Sequence, residues 1–131
     1  MSQASVAGKR NRKMIQIPLN PITKKNHQQI VNNGKRPFII QSKAYREYEK
    51  QALYFIRPLA IDYPVNVRCL FYMKTHRRVD LVNLLEAIDD ILVRAGALKD
   101  DNSEIVAGHD GSRVLYDKEN PRTEVYIEEI E

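Results

Sequence analysis

From Asp80 to Ala95 apolar residues recur at a helical period, and this segment constrains the fold more than any other. At about 100° per residue, Leu81, Leu84, Leu85, Ile88, Ile91, Leu92 and Ala95 fall in one sector. A stripe of that kind has to be buried against a second layer. The opposite side carries Asp80, Asn83, Glu86, Asp90 and Arg94. Two more carboxylates, Asp100 and Asp101, return after Gly96, while Lys74, Arg77 and Arg78 stand just before the helix. Carboxylates beside cationic side chains suit a magnesium-dependent enzyme acting on a polyanion. The pattern points to a nuclease.

The rest of the chain supplies partners for the stripe. Met14–Ile17 reads as a short strand ended by Pro18 and Pro21, followed by the polar loop Thr23-Lys24-Lys25-Asn26-His27. Gln28–Asn32 and Arg36–Gln41 flank Asn33-Gly34, a dipeptide that favours a two-residue hairpin turn. Ser42 reads as the N-cap of a helix over 43–56, with Ala44, Tyr45, Tyr48, Ala52 and Phe55 at helical spacing and Pro58 as the stop. Val65–Tyr72 and Thr123–Glu128 read as strands, with shorter candidates at Ile105–Gly108 and Arg113–Tyr116 around the Asp110-Gly111 turn. These elements predict an α+β fold, a mixed β-sheet with two main helices packed on it.

Composition narrows the classes. A 131-residue chain, 43% hydrophobic and 29% charged, reads as one globular domain rather than a disordered one. No apolar run is long enough to span a bilayer and no signal peptide is visible, so a cytoplasmic setting without membrane contact is expected. The single Cys69 cannot form an internal disulfide, and with three scattered histidines a structural zinc site is not expected. Net charge is +4 and the pI is near 9.2. The basic residues crowd the first two-thirds of the chain, as in Lys9, Arg10, Arg12 and Lys13, which fits a polyanion-facing surface. Residues 1–12 read as a flexible basic arm.

Several residues admit two readings. Asp80 is either a helix cap or a reactive carboxylate. Glu86 and Asp90 are either solvated helix charges or ligands, and Asp100-Asp101 is either a polar turn or a second acidic pair. His109 is a turn residue or a contact to metal or phosphate, and His76 lies among basic residues facing solvent or phosphate.

Arg78-Val79-Asp80-Leu81-Val82-Asn83-Leu84, then Ala87-Ile88-Asp89-Asp90-Ile91-Leu92, then Ala95-Gly96 and Asp100-Asp101, resembles the RusA family of Holliday junction resolvases. A weaker resemblance covers Ile15–Asn26 and the helix start Ser42-Lys43-Ala44-Tyr45-Arg46. The resemblance implies a homodimeric phage-type endonuclease spanning residues 13–131, with branched DNA as partner and Mg²⁺ (or Mn²⁺) as cofactor. It assigns Asp80 and Asp101 as catalytic, metal-holding aspartates, with Asn83, Asp90 and Asp100 in support. Lys24, Lys25, Asn26, Lys74, Arg77 and Arg78 are the expected DNA contacts. Two positions depart from the family pattern: Val82 stands where a second aspartate belongs, and Glu86 replaces a lysine. Residues 82 and 86 share a helix edge roughly 5–6 Å apart at Cβ, so Glu86 is expected to supply the missing carboxylate. The alternative is a catalytically weakened or inactive branch-binding protein.

Overall fold

The computed structural model describes residues 12–24, 28–32 and 37–130. The N-terminal arm as far as residue 11, Lys25, Asn26 and the Asn33-Gly34 turn lie outside that range. The described residues form seven strands and two α-helices: β1 (Lys13–Ile17), β2 (Gln28–Asn32), β3 (Pro37–Gln41), α1 (Lys43–Ala52), β4 (Val65–Met73), α2 (Leu81–Arg94), β5 (Val106–Gly108), β6 (Arg113–Tyr116) and β7 (Arg122–Glu129). The predicted α+β class is what the structure has.

Five strands form one mixed sheet in the order β1-β7-β4-β5, with β6 also paired to β4. β7 runs antiparallel to both β1 and β4. The other edge of β4 is shared: β5 pairs in parallel at Val65 and Asn66, and β6 pairs in parallel from Leu70 to Met73. β2 and β3 form a separate antiparallel pair in which Gln28 lies opposite Gln41.

Alternation along the strands decides which face is buried. Val65, Val67, Cys69 and Phe71 of β4, Thr123, Val125 and Ile127 of β7, and Ile15 and Ile17 of β1 all point to the covered side. Both helices pack there, α1 through Tyr45, Tyr48 and Ala52 and α2 through Leu84, Ala87, Ile88, Ile91 and Leu92. Burying one side chain such as Leu84 or Ile88 contributes about 1.5–3 kcal/mol. On the other face the Arg68 guanidinium lies 4.3 Å from the Tyr126 ring centre and Arg122 lies 3.8 Å from that of Tyr72. Both guanidinium groups lie against aromatic faces, and that of Arg122 is also paired with Glu124 at 2.8 Å and Asp117 at 2.9 Å.

The first helix is shorter than its periodicity suggests. Ser42 caps it, accepting from the Tyr45 N–H at 3.1 Å, but after Ala52 the chain tightens into a 3₁₀ turn at Leu53–Phe55. That change of pitch turns Phe55 out to solvent and sends Ile56 into the core instead. Ala44 is exposed as well.

Candidate active site

Gly96 positions the acidic loop. It follows α2 with φ +81, a left-handed conformation that only glycine adopts at little cost. The chain then reverses, with the Ala97 N–H donating to the Leu92 carbonyl at 2.9 Å. Residues 96–99 next bond to Ala60 and Ile61, each at 2.9 Å, before Asp100 and Asp101 emerge exposed to solvent. Asp100 turns back on its own loop: its carboxylate accepts from the Asp101 N–H at 2.7 Å and from Asn102 Nδ2 at 3.0 Å. Asp100 therefore shapes the loop and leaves the Asp101 carboxylate open.

Asp80 has the N-cap backbone of α2 (φ −90, ψ 126), yet its side chain makes no capping hydrogen bond. Instead its Oδ2 accepts from Asn83 Nδ2 at 3.3 Å. Asp80 is thus the N-cap residue by its backbone, with its carboxylate turned to Asn83 rather than to the helix N–H groups. Glu86 is exposed one turn further on, and Val82 is a 74% exposed apolar residue on the same side of the helix.

Lys24 and Asp90, read from sequence as a DNA contact and a supporting carboxylate, form an ion pair with each other. The pair fastens the Pro-containing loop after β1 to the middle of α2. Lys74, Arg77 and Arg78 occupy the exposed loop between β4 and α2, held by the Lys74 N–H donating to Asn20 Oδ1 at 2.9 Å.

Sequence reasoning missed Asp89. Leu85, Ile88 and Leu92 surround it on the helix surface, so a carboxylate there must find a partner or pay for desolvation. His109 is that partner. Its Nε2 lies 2.9 Å from Asp89 Oδ2, and its Nδ1 lies 2.8 Å from the Val67 carbonyl oxygen. A carbonyl only accepts, so Nδ1 carries a hydrogen, and Nε2 carries a second only when the ring is cationic. Asp89 and His109 thus share one proton between them. Burial pushes Asp89 above the ordinary carboxylate range; the His109 hydrogen bond and charge oppose this, while Asp101 and Asp90 add to it. The hydrogen bond to Asp89 raises the His109 pKa, against burial. Asp89 Oδ1 is buried with no hydrogen-bond partner. The signal available in the sequence was an aspartate at the margin of an apolar stripe together with a lone histidine after it.

Cys69 faces the core and is inert: burial, with Asp89 nearby, pushes its thiol up. Among the described residues no three His, Cys, Asp or Glu side chains are grouped as ligands for one metal ion. Among the same residues no helix is long and apolar enough to cross a membrane.

An open carboxylate at the start of α2, another in the loop that follows the helix, and a loop of cations leading into it define an α+β domain equipped to act on phosphodiesters. Residues 18–128 match the family Endodeoxyribonuclease RusA, and the chain belongs to that family. It is therefore an endodeoxyribonuclease of the Holliday junction-resolving type, a hydrolase of phosphodiester bonds that takes branched DNA. Nucleases of this family generally depend on a divalent metal. No curated protein matches the chain.

Proposed function

We propose that the protein resolves four-way DNA junctions by paired, Mg²⁺-dependent phosphodiester hydrolysis, working as a homodimer. The observation that carries this reading is the Asp80 carboxylate, which stands at the start of α2 without being spent on capping, inside the stretch that matches the family.

The donor set suits the ion. Mg²⁺ is a hard cation that commonly takes one or two protein carboxylates and completes its octahedron with water and substrate phosphate. Exposed carboxylates at Asp80, Asp101 and Glu86 fit such an open site better than they would a closed cage. Each would offer a carboxylate to Mg²⁺, with Mn²⁺ as a substitute, although the three are not grouped around one position in the free chain. Once bound, the ion supplies a more acidic water and neutralises charge on the scissile phosphate. Asn83 orients Asp80 through its 3.3 Å hydrogen bond. Lys74, Arg77 and Arg78 hold the phosphate backbone and stabilise charge that develops during displacement. Lys24 is neutralised by Asp90, so its contribution is to fix α2 in place. Two sites related by a two-fold axis would permit matched nicks across a junction of the same symmetry.

A second reading has its own support. Val82 is exposed where an aspartate would serve, which favours a branch-binding protein that cuts weakly. Cleavage of an end-labelled four-way junction in Mg²⁺ separates the two. The resolvase reading expects paired nicks that vanish in Asp80→Asn while binding persists. Binding without nicks in either Mg²⁺ or Mn²⁺ would overturn it in favour of the second.

A further inference from the structure

The loop that leads from β4 into α2 does more than present cations. His76 stacks on Tyr116 of β6, with ring centres 3.7 Å apart and planes 23° apart. Beside this pair lies an open pocket of about 320 Å³, lined by Met73, Thr75, His76, Arg77, Val114 and Tyr116 among others. Tyr116 is 44% exposed and Val114 38%, both on a strand whose outer edge has no partner among the described residues. Arg77 brings positive charge to the pocket lining, Lys74 and Arg78 flank the lining residues in sequence, and three residues after Arg77 the chain reaches Asp80.

We propose that this pocket is a nucleotide subsite that receives one unstacked base of branched DNA. The base would lie against the His76–Tyr116 surface and its phosphate against Arg77. The inference rests on the branched-DNA reading above. Flat aromatic faces beside cations suit a nucleotide, because every base has a π-face to stack and a phosphate to neutralise. A fully paired duplex offers no free face. A four-way junction offers such faces once a bound protein opens its crossover and parts the stacked arms. The cationic rim argues against an apolar protein segment as the occupant. The subsite would therefore discriminate branched from continuous DNA.

The test compares wild type, Tyr116→Ala and Tyr116→Phe in the full chain, binding a four-way junction with 2-aminopurine at the crossover. Linear duplex is run in parallel, both in Ca²⁺ to prevent cutting. The proposal expects Tyr116→Ala to weaken junction binding about tenfold, the order of one lost base–aromatic stack, with duplex affinity unchanged. It expects Tyr116→Phe to match wild type, and 2-aminopurine emission to be quenched by wild type but not by Tyr116→Ala. Wild-type junction affinity in Tyr116→Ala, or equal losses on junction and duplex, would overturn it. So would a change from dimer to monomer in sedimentation, which would make the pocket a contact between copies. If wild type shows no junction preference at all, the functional reading fails instead. Binding of an oligothymidylate by the same variants then decides the subsite: a loss in Tyr116→Ala supports it, and equal binding overturns it.

Discussion

His109 reaches across from the sheet edge to α2 and holds Asp89 at 2.9 Å, tying the strand region to the helix through one shared proton. Because Asp101 raises the Asp89 pKa, this pair lies within electrostatic reach of the acidic loop. Its protonation is therefore linked to both stability and the surroundings of the candidate site.

The sign of the pH dependence follows from the two shifts. His109 has a folded pKa above its ordinary 6.5, so its stabilising bond is complete below that value and is lost as pH rises through the folded pKa. Asp89 is also raised, so its folded form holds a proton that the unfolded chain has already released. Because one proton serves the pair, the two shifts describe a single titration, and it makes stability fall with rising pH. Thermal unfolding of wild type is expected to shift to lower temperature between pH 6 and pH 9, and the slope should flatten in His109→Gln. At pH 6 that variant should be less stable by about 1–3 kcal/mol, the cost of a buried carboxylate left without its partner. Calorimetry across the pH series reads both effects.

Glu86 and Val82 offer a test by exchange. If Glu86 supplies the carboxylate that Val82 lacks, Glu86→Ala abolishes junction cleavage and Val82→Asp restores it in the double variant. In the wild-type background Val82→Asp should lower the Mg²⁺ concentration for half-maximal rate by about tenfold. Val82 is 74% exposed, in the first turn of α2 where an aspartate favours the helix dipole, so folding carries no penalty. A metal titration of cleavage rate settles the pairing.

The cationic loop should act through phosphates. Removing Lys74 or Arg78 is expected to weaken junction and duplex binding together and to reduce the slope of log affinity against log salt by about one unit. A salt series on each variant measures the slope.

Gly111 should resist substitution. Its φ is +86, and a Cβ there would stand 2.6 Å from Arg68 Cδ. Arg68 is flexible enough to yield, so Gly111→Ala is expected to cost about 1–2 kcal/mol, chiefly from the left-handed backbone. That corresponds to a melting temperature lower by roughly 3–8 °C, accompanied by displacement of Arg68 from the Tyr126 ring.

Much of the scaffold was legible because its signals are local. The stripe on α2 is written in its own spacing, and the alternation of β7 marks its buried face without reference to other strands. Phe55 was misread because the 3₁₀ turn changes pitch where the sequence still looks helical, and no residue there announces it. Asp80 and Asp101 stood out through their setting in a known motif. Asp89 did not, because its meaning depends on His109, twenty residues away, arriving over it through tertiary structure. The pairing of Lys24 with Asp90 was hidden for the same reason: each charge looked free alone.

The shared edge of β4 carries a last consequence. Between β5 and β6 the chain leaves the ladder, and side chains take over its hydrogen bonds: His109 at the Val67 carbonyl, and Ser112 Oγ accepting from the Cys69 N–H at 3.0 Å. Asn66 receives the Asp110 N–H at 2.8 Å in the same way. A continuous strand would present only main chain to β4 here, the same for any sequence. The gap makes this edge of β4 depend on particular side chains, because replacing His109 or Ser112 would leave the Val67 carbonyl or the Cys69 N–H without its partner, while the register of β4 on β7 is held by main chain alone.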